Sequence, residues 1–300
     1  MMYNTKNGSV KIGDTSMDFV YGGRGEKKLI ILPGLSEGLT TVKGKAIFLL
    51  HPYRKYFDRF TVYMFSRKKD MPKGYSMQEM AADQAAAMTA LGIDKACVLG
   101  VSQGGMIAQY LAIDHPALVE KLVIAVSAPR VNNIIREYVS GKIETALAGD
   151  HKTLMIDTME RSYSQEYLRK YRWLYPVFGH IGKPKSYDRF LVNAIAILGF
   201  DVYDKLDQIA FPCETTVDSR RCGDQLSDIE KYNRNCHRAH ARPTLIIAGE
   251  EDKIVGVQAS REMHERIPGS ELFIYPGLGH AAFDEAKDFN ERVFSFLGRE

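Results

Sequence analysis

Gly100-Val101-Ser102-Gln103-Gly104 decides the fold, because the residue pattern changes from one side of this stretch to the other. The apolar run Ala96 to Leu99 precedes it and has the composition of a buried strand. Residues 106–113 follow it with the apolar spacing of a helix. A serine at such a junction, with a glycine two residues away on each side, predicts a nucleophile elbow, a tight turn that lifts the serine hydroxyl above the sheet.

Short apolar runs alternate with helical patterns along most of the chain, which is typical of a parallel sheet with helical crossovers. The helical stretches include residues 76–91 and 285–297. The pattern predicts an α/β protein with a mostly parallel, doubly wound sheet. Its six predicted strands are Lys28 to Leu32, Phe60 to Phe65, Ala96 to Leu99, Lys121 to Val126, Pro243 to Ala248 and Glu271 to Tyr275.

The region 131–200 lacks strand-like runs and contains several helical patterns with many aromatic residues. We therefore expect residues 1–130 and 201–300 to form the core, and residues 131–200 to form an inserted helical cap over the strand ends. Residues 211–240 interrupt the core pattern with a charged, cysteine-containing stretch, which predicts a surface insertion. Because this stretch leads into a parallel strand, we expect it at the sheet edge opposite the active site.

Two downstream residues have the types that a nucleophilic serine requires. Serine is a weak nucleophile until an imidazole accepts its proton, and a carboxylate must orient that imidazole. Asp252 follows the strand that ends near Ala248, and His280 follows the strand that ends at Tyr275. Ser102, Asp252 and His280 are therefore the candidate catalytic residues. Glu250 and Glu251 are alternatives to Asp252.

Three segments carry a resemblance to a known family: GVSQGG, PTLIIAGEEDKIV and GLGHAAFDE. They resemble the matching motifs of the α/β-hydrolase superfamily, of the compact esterase, lactonase and cofactor-free haloperoxidase-like kind. The resemblance covers both core segments. It implies that Ser102 is the nucleophile, that His280 acts as general base and then as general acid, and that Asp252 is the orienting carboxylate.

Hydrolysis at such a serine also requires two backbone N–H groups that bind the developing oxyanion. One belongs to Gln103, directly after the nucleophile. The other is expected from the loop Leu32 to Ser36, on Leu35, with Ser36 as an alternative. Family members usually carry His-Gly in this loop, where the present chain has Pro33-Gly34. A second departure is the stretch 64–68, where relatives typically have an Asp, Arg and Gly-rich turn.

Tyr163, Tyr167 and Tyr171 recur at four-residue spacing and share one helical face. They are candidate substrate-binding residues for an apolar acyl pocket, or they pack the cap onto the core. A group of basic residues could attract an anionic substrate or form a solvated surface, and we expect the solvated surface. That group comprises His51, Arg54, Lys55, Arg67, Lys68, Lys69 and Lys73.

Composition excludes several other classes of protein. The formal net charge is +3, without a basic stripe for nucleic acid, and no apolar run reaches the length of a membrane span. We expect a cytoplasmic protein with reduced thiols and neither nucleic acid nor membrane as partner; a homo-oligomer is compatible with the sequence. We also expect no cofactor. A metal site is not expected either, because the spacing of Cys213, Cys222, Cys236, His237 and His240 matches no known zinc finger.

The sequence thus favours a serine hydrolase that cleaves a small-molecule carboxylic ester, or a related lactone or thioester, through an acyl-enzyme. Two alternatives stay open. The same triad could hydrolyse a carbon–carbon bond or form peracids. The fold could instead serve as a ligand receptor with slow or vestigial turnover.

Overall fold

The computed structural model describes residues 5–177, 179–210 and 242–299. Its strands are β1 (Lys6–Ile12), β2 (Thr15–Gly22), β3 (Lys27–Leu32), β4 (Phe60–Lys68), β5 (Ala96–Val101), β6 (Val119–Ala125), β7 (Thr244–Gly249) and β8 (Glu271–Tyr275). The helices before β7 are α1 (Ala46–Leu50), α2 (Met77–Ala90), α3 (Gln103–Asp114), α4 (Asn133–Leu147), α5 (His151–Ser162), α6 (Gln165–Tyr171), α7 (Asp188–Leu198) and α8 (Asp207–Ala210). Those after it are α9 (Val257–Arg266), α10 (Ala282–Glu285) and α11 (Phe289–Gly298). Short 3-10 turns span Leu35–Gly38, His51–Tyr56, Pro116–Leu118, Arg172–Val177 and Tyr203–Lys205.

The strands form one eight-stranded sheet in the order β1-β2-β4-β3-β5-β6-β7-β8. The six strands from β3 to β8 are parallel and correspond to the six predicted ones. Strands β1 and β2 are antiparallel additions at one edge, and they are absent from the six predicted strands. The chain reverses its direction of progress across the sheet at β3 and β5, so their carboxyl ends open a crevice of the kind where α/β proteins place their sites.

Both faces of the sheet are covered, as a doubly wound fold requires. Side chains alternate along each strand: in β3, Ile30 and Leu32 join one buried cluster, and Leu29 and Ile31 join the other. The first cluster includes residues of α2, α3 and α9, and the second includes residues of α1 and α11. The α/β expectation is therefore confirmed.

The described residues between β6 and β7 contain helices but no strand. Helix α4 packs against α5 and α7, and α7 also packs against the 3-10 turn after β3. The division into core and cap stays a prediction. The expected insertion at 211–240 lies outside the described residues. No helix in the described ranges is long and apolar enough to cross a bilayer.

Gly104 brings the start of α3 against the end of β3. A Cβ on Gly104 would lie 1.9 Å from the carbonyl oxygen of Leu32, so no side chain fits without moving the backbone. We expect Gly104→Ala to lower the free energy of unfolding by about 3 kcal/mol, measured by urea denaturation. Gly141→Ala is the matched control, because a Cβ on Gly141 meets no atom within 4 Å.

Gly141 lies inside α4, where alanine is favoured over glycine by about 1 kcal/mol. The control variant should therefore be slightly more stable than the original chain. Equal stability of the Gly104 and Gly141 variants would contradict the close packing of α3 on β3.

Candidate active site

Ser102 occupies a strained turn between β5 and α3. Its φ of 54° and ψ of −120° lie in a region that non-glycine residues rarely adopt, at a cost of about 1–3 kcal/mol. Two neighbouring hydrogen bonds hold this conformation. The Ser102 N–H donates to the carbonyl of Ala125 at 2.9 Å, and the hydroxyl of Ser127 donates to the carbonyl of Ser102 at 2.8 Å. The backbone thus has the geometry of the predicted elbow.

The structure brings the three candidate catalytic residues into one hydrogen-bonded chain. His280 Nε2 lies 2.9 Å from Ser102 Oγ, and His280 Nδ1 lies 2.8 Å from Asp252 Oδ2. Asp252 and His280 are both buried. An ionised carboxylate only accepts hydrogen bonds, so Nδ1 carries the proton that faces Asp252 and Nε2 is free to accept the serine proton.

The Asp252 carboxylate is held in its charged form. Burial raises its pKa, but His280 and the backbone N–H groups of Ile254 and Val255 outweigh burial and lower the pKa below its usual value. Both N–H groups donate to Oδ1, at 2.8 Å and 3.0 Å. The Asp252 carboxylate is therefore available to His280 through Oδ2.

The two alternatives to Asp252 lie elsewhere. Glu250 and Glu251 are exposed, and Glu250 accepts a hydrogen bond from the N–H of Gly277. Neither makes a hydrogen bond to His280 within the described chain. Asp252 is thus the carboxylate that the structure brings to the imidazole.

The loop after β3 lies directly beside the nucleophile. A Cβ on Gly34 would sit 3.3 Å from Ser102 Cβ and 3.8 Å from its Oγ, so glycine leaves room at this point. The N–H groups of Leu35, Ser36 and Gln103 donate to no group in the described residues. Each belongs to the first turn of a helix, where N–H groups lack partners within the helix. The loop after β3 and the start of α3 thus each contain N–H groups without an acceptor in the described residues.

Ser102 and His280 open into a cavity of about 1090 Å³. Its walls come from the loop after β3, from α1 and the turn after it, and from α4, α5 and α7. Apolar side chains dominate, among them Met106, Ile135, Val139, Met159 and Ile197. A mostly apolar cavity of this size can enclose a small organic molecule.

The candidate substrate-binding tyrosines differ in position. Tyr163 lines the cavity, and its hydroxyl donates to Asp284 Oδ2 at 2.7 Å. Burial, followed by the Asp284 charge, raises the pKa of Tyr163, so its hydroxyl stays protonated. Tyr167 stacks on Tyr163 and Tyr171 packs on Tyr167, with ring centroids 4.3 Å and 4.4 Å apart, but neither lines the cavity. The structure therefore brings only Tyr163 of the three to the site.

Arg67 differs from the predicted solvated surface. Lys69 and Lys73 are exposed as expected, whereas Arg67 is only 1% exposed and is the largest fully buried side chain of the described residues. Arg67 lies at the carboxyl end of β4, the edge of the sheet that carries the site. This position was the sequence signal that Arg67 lies near the site. Charge alone, which placed Arg67 with its exposed neighbours, does not detect this signal.

The described residues bring together no group of three or more His, Cys, Asp or Glu side chains that could hold a metal ion. The cysteine and histidine group at 213–240 lies outside them. Cys97, which is described, is a buried free thiol whose pKa burial raises to about 12.

Comparison with known proteins identifies the fold and the family. A family model described as "alpha/beta hydrolase fold" matches residues 63–287, well over half of the chain. The solved structure of MGS-M2, an alpha/beta hydrolase enzyme from a Medee basin deep-sea metagenome library, superposes with a TM-score of 0.76. The match covers 98% of both chains at 18% identity, which shows a shared fold.

Two curated relatives have similar sequences. RutD of Caulobacter sp. (strain K31), a proposed carbamate hydrolase, is 25% identical over 94% of this chain and 95% of its own length. A 2-hydroxy-6-oxononadienedioate/2-hydroxy-6-oxononatrienedioate hydrolase of Pseudomonas sp is 26% identical over 76% of this chain and 74% of its own length. Both relatives are named as hydrolases.

Proposed function

Because this chain belongs to the alpha/beta hydrolase family, we propose that it hydrolyses carboxylic esters, or related lactones and thioesters, through an acyl-enzyme on Ser102. The observation that carries the proposal is the unbroken hydrogen-bond chain from Ser102 Oγ through His280 to Asp252. Ser102 and His280 line a cavity that can hold an organic substrate. Together these features supply a nucleophile, its base and a binding space.

In the proposed reaction, His280 Nε2 takes the proton of Ser102 as Oγ attacks the ester carbonyl carbon. The imidazolium formed is stabilised by the Asp252 carboxylate and then gives its proton to the departing alcohol. Water, activated by His280, attacks the acyl-enzyme and releases the acid. The N–H groups of Leu35 and Gln103 stabilise the oxyanion in both tetrahedral intermediates, with Ser36 as the alternative to Leu35.

The cavity wall favours a neutral substrate. In the described part of the chain, Lys45, His51 and His280 are the basic residues that line it, and no arginine does. Burial lowers the pKa of Lys45, against the opposing influence of Glu37. Asp284 adds a carboxylate to the wall. Lys45 is the one lysine on the described wall, so a substrate carboxylate placed elsewhere in the cavity would lose hydration without a paired cation to replace it.

Carbon–carbon bond hydrolysis is the second candidate, because the Pseudomonas relative is named as a dienedioate hydrolase. A dienedioate carries two carboxylates. The scarcity of cations in the described cavity wall ranks this reaction behind the hydrolysis of neutral esters.

The test is steady-state hydrolysis of p-nitrophenyl acetate, butyrate and octanoate, with p-nitrophenyl hemisuccinate as the anionic counterpart of butyrate. Burying a methylene is worth about 0.8 kcal/mol, so kcat/KM should rise about tenfold from acetate to butyrate. The hemisuccinate should be about tenfold or more below butyrate, because its carboxylate must be desolvated. A preference for the hemisuccinate would instead favour anionic substrates.

The same assay separates an enzyme from a ligand receptor. An enzyme releases many equivalents of p-nitrophenol per protein molecule, whereas a receptor with vestigial chemistry stops after one acylation. A single burst without further turnover would contradict the proposed function.

A further inference from the structure

Arg67 connects the two segments that carry the N–H groups of the candidate oxyanion hole. Its Nη2 donates to the carbonyl of Pro33 at 2.7 Å and to Gln103 Oε1 at 3.1 Å. Pro33 opens the loop that carries Leu35, and Gln103 carries the N–H next to the nucleophile. One guanidinium nitrogen, with its two hydrogens, thus contacts both segments that supply the free N–H groups.

We propose that Arg67 is a positioning residue that fixes these two segments relative to each other and so sets the geometry of the oxyanion hole. This inference rests on the proposed hydrolysis at Ser102. Arg67 itself touches no reacting atom, because it does not line the cavity. It acts through Pro33 and Gln103.

The physical reason lies in how an oxyanion hole works. Its donors accelerate the reaction because they already point to where charge develops, so no reorganisation is needed in the transition state. The bond to the Pro33 carbonyl fixes the plane of the Pro33–Gly34 peptide and hence the direction in which the loop turns toward Leu35. The bond to Gln103, whose Nε2 also donates to the Asn193 carbonyl at 2.9 Å, fixes the first turn of α3.

The buried carboxylate of Glu37 and the half-buried Arg189 hold Arg67 in place. Glu37 Oε1 accepts a hydrogen bond from the Arg67 N–H at 3.3 Å and from Arg189 Nη2 at 2.7 Å. Arg189 also donates to the carbonyls of Arg67 and Lys68. The end of β4 is thereby tied to α7 and to the 3-10 turn after β3. Arg67 therefore has a defined backbone position from which to reach Pro33 and Gln103.

Two nitrogens of the same guanidinium, Nε and Nη1, are buried and have no hydrogen-bond partner within the described residues. A buried cation with unpaired donors is a poor device for stability, because each unpaired donor loses its hydration. An apolar side chain would avoid this cost. The presence of arginine is better explained by the two bonds that Nη2 makes.

The test compares Arg67→Met and Arg67→Lys with Arg242→Met as the matched control. Arg242 is also buried and donates to four backbone carbonyls, those of Ala112, Pro116, Val119 and Ile209, none of which belongs to the site. The readouts are kcat and KM for p-nitrophenyl butyrate, and the affinity for phenylboronic acid, which forms a tetrahedral adduct with a nucleophilic serine.

Removing one oxyanion donor typically reduces kcat about 100-fold to 1000-fold, and misplacing the donors should approach this range. We therefore expect Arg67→Met to lower kcat about 100-fold with KM within about threefold, and to weaken phenylboronic acid binding in parallel. Arg67→Lys should recover part of the loss, because one ammonium can reach one acceptor but does not match the planar guanidinium. Arg242→Met should leave kcat within about threefold.

Several results would overturn the inference. One is a kcat within threefold of the original in Arg67→Met, and another is an equal kcat loss in Arg242→Met, which would reduce Arg67 to a structural role. If Arg67→Met does not fold, Arg67→Lys and Gln103→Met replace it in the test. A normal kcat in both of these variants would likewise overturn the inference.

Failure of the proposed function would look different, because the original protein itself would not turn over esters. Crystal structures of the original and of Arg67→Lys would then decide the inference without activity. A turned Pro33–Gly34 peptide supports the positioning role, and an unchanged loop rejects it.

Discussion

Replacing Ser102 with alanine is expected to lower kcat for p-nitrophenyl butyrate by about a thousandfold to a millionfold. The reason is that Ser102 Oγ is the only atom lost, and it is the atom that His280 Nε2 faces at 2.9 Å. The turn itself should persist, because the bonds from Ser102 N–H to Ala125 and from Ser127 to the Ser102 carbonyl involve backbone atoms of residue 102.

Ser9→Ala is the matched control for this loss. Ser9 is an exposed serine on β1 that does not line the cavity, so its replacement should leave kcat unchanged. The protein can also be mixed with a slowly hydrolysed ester, quenched rapidly and digested. Mass spectrometry of the peptides should then show the acyl group on the peptide that contains Ser102. An active Ser102→Ala protein, or an acyl group on another residue, would remove Ser102 as nucleophile.

Asp252→Asn is expected to lower kcat by about ten-thousandfold with little change in fold. An asparagine can keep its carbonyl oxygen toward the N–H groups of Ile254 and Val255, which places its NH₂ group toward His280 Nδ1. His280 would then have to accept at Nδ1 and carry its proton at Nε2. That tautomer cannot take the proton of Ser102, so the nucleophile stays unactivated.

Glu251→Gln controls for the loss of one negative charge in the same loop. Glu251 is exposed and makes no side-chain hydrogen bond to the site, so kcat should stay within about twofold. Circular dichroism and urea denaturation of both variants report whether folding is intact. Equal activity of Asp252→Asn and the original protein would exclude Asp252 as the orienting carboxylate.

The sequence predicted those parts of the site whose residues lie in short, contiguous segments with a recognisable local pattern. The elbow around Ser102 combines a strand end, two glycines and a helix start within a few residues, so local pattern was sufficient. Asp252 and His280 were found because each follows a strand, and the ends of parallel strands meet at one edge of the sheet. Contact between these residues, which lie far apart in the chain, was therefore predictable from strand direction alone.

The missed elements have weaker local signals. Strand β1 reads KNGSVKI, with polar residues at most positions and a glycine, and its burial pattern is largely exposed. Such an edge strand is held by pairing with β2 rather than by an apolar run of its own. Its register depends on contacts that a search for apolar runs does not detect.

Other details depend on which elements become neighbours. The choice among Asp252, Glu250 and Glu251 was open in the sequence because all three are carboxylates in one turn. In the structure, only Asp252 points inward, where the N–H groups of Ile254 and Val255 hold it against His280. The spacing of the tyrosines likewise predicted one helical face, while distance from the cavity separated Tyr163 from Tyr167 and Tyr171.

By itself, the sequence determined the α/β architecture, the six parallel strands, the elbow and the chemical types at three strand ends, because each depends on local periodicity or on strand direction. Tertiary structure alone decided the burial of Arg67 and its bonds to Pro33 and Gln103. Those bonds join three strand ends that are distant in the chain. The solvation of a charged side chain depends on what packs around it, and neighbouring residues in the sequence do not specify that environment.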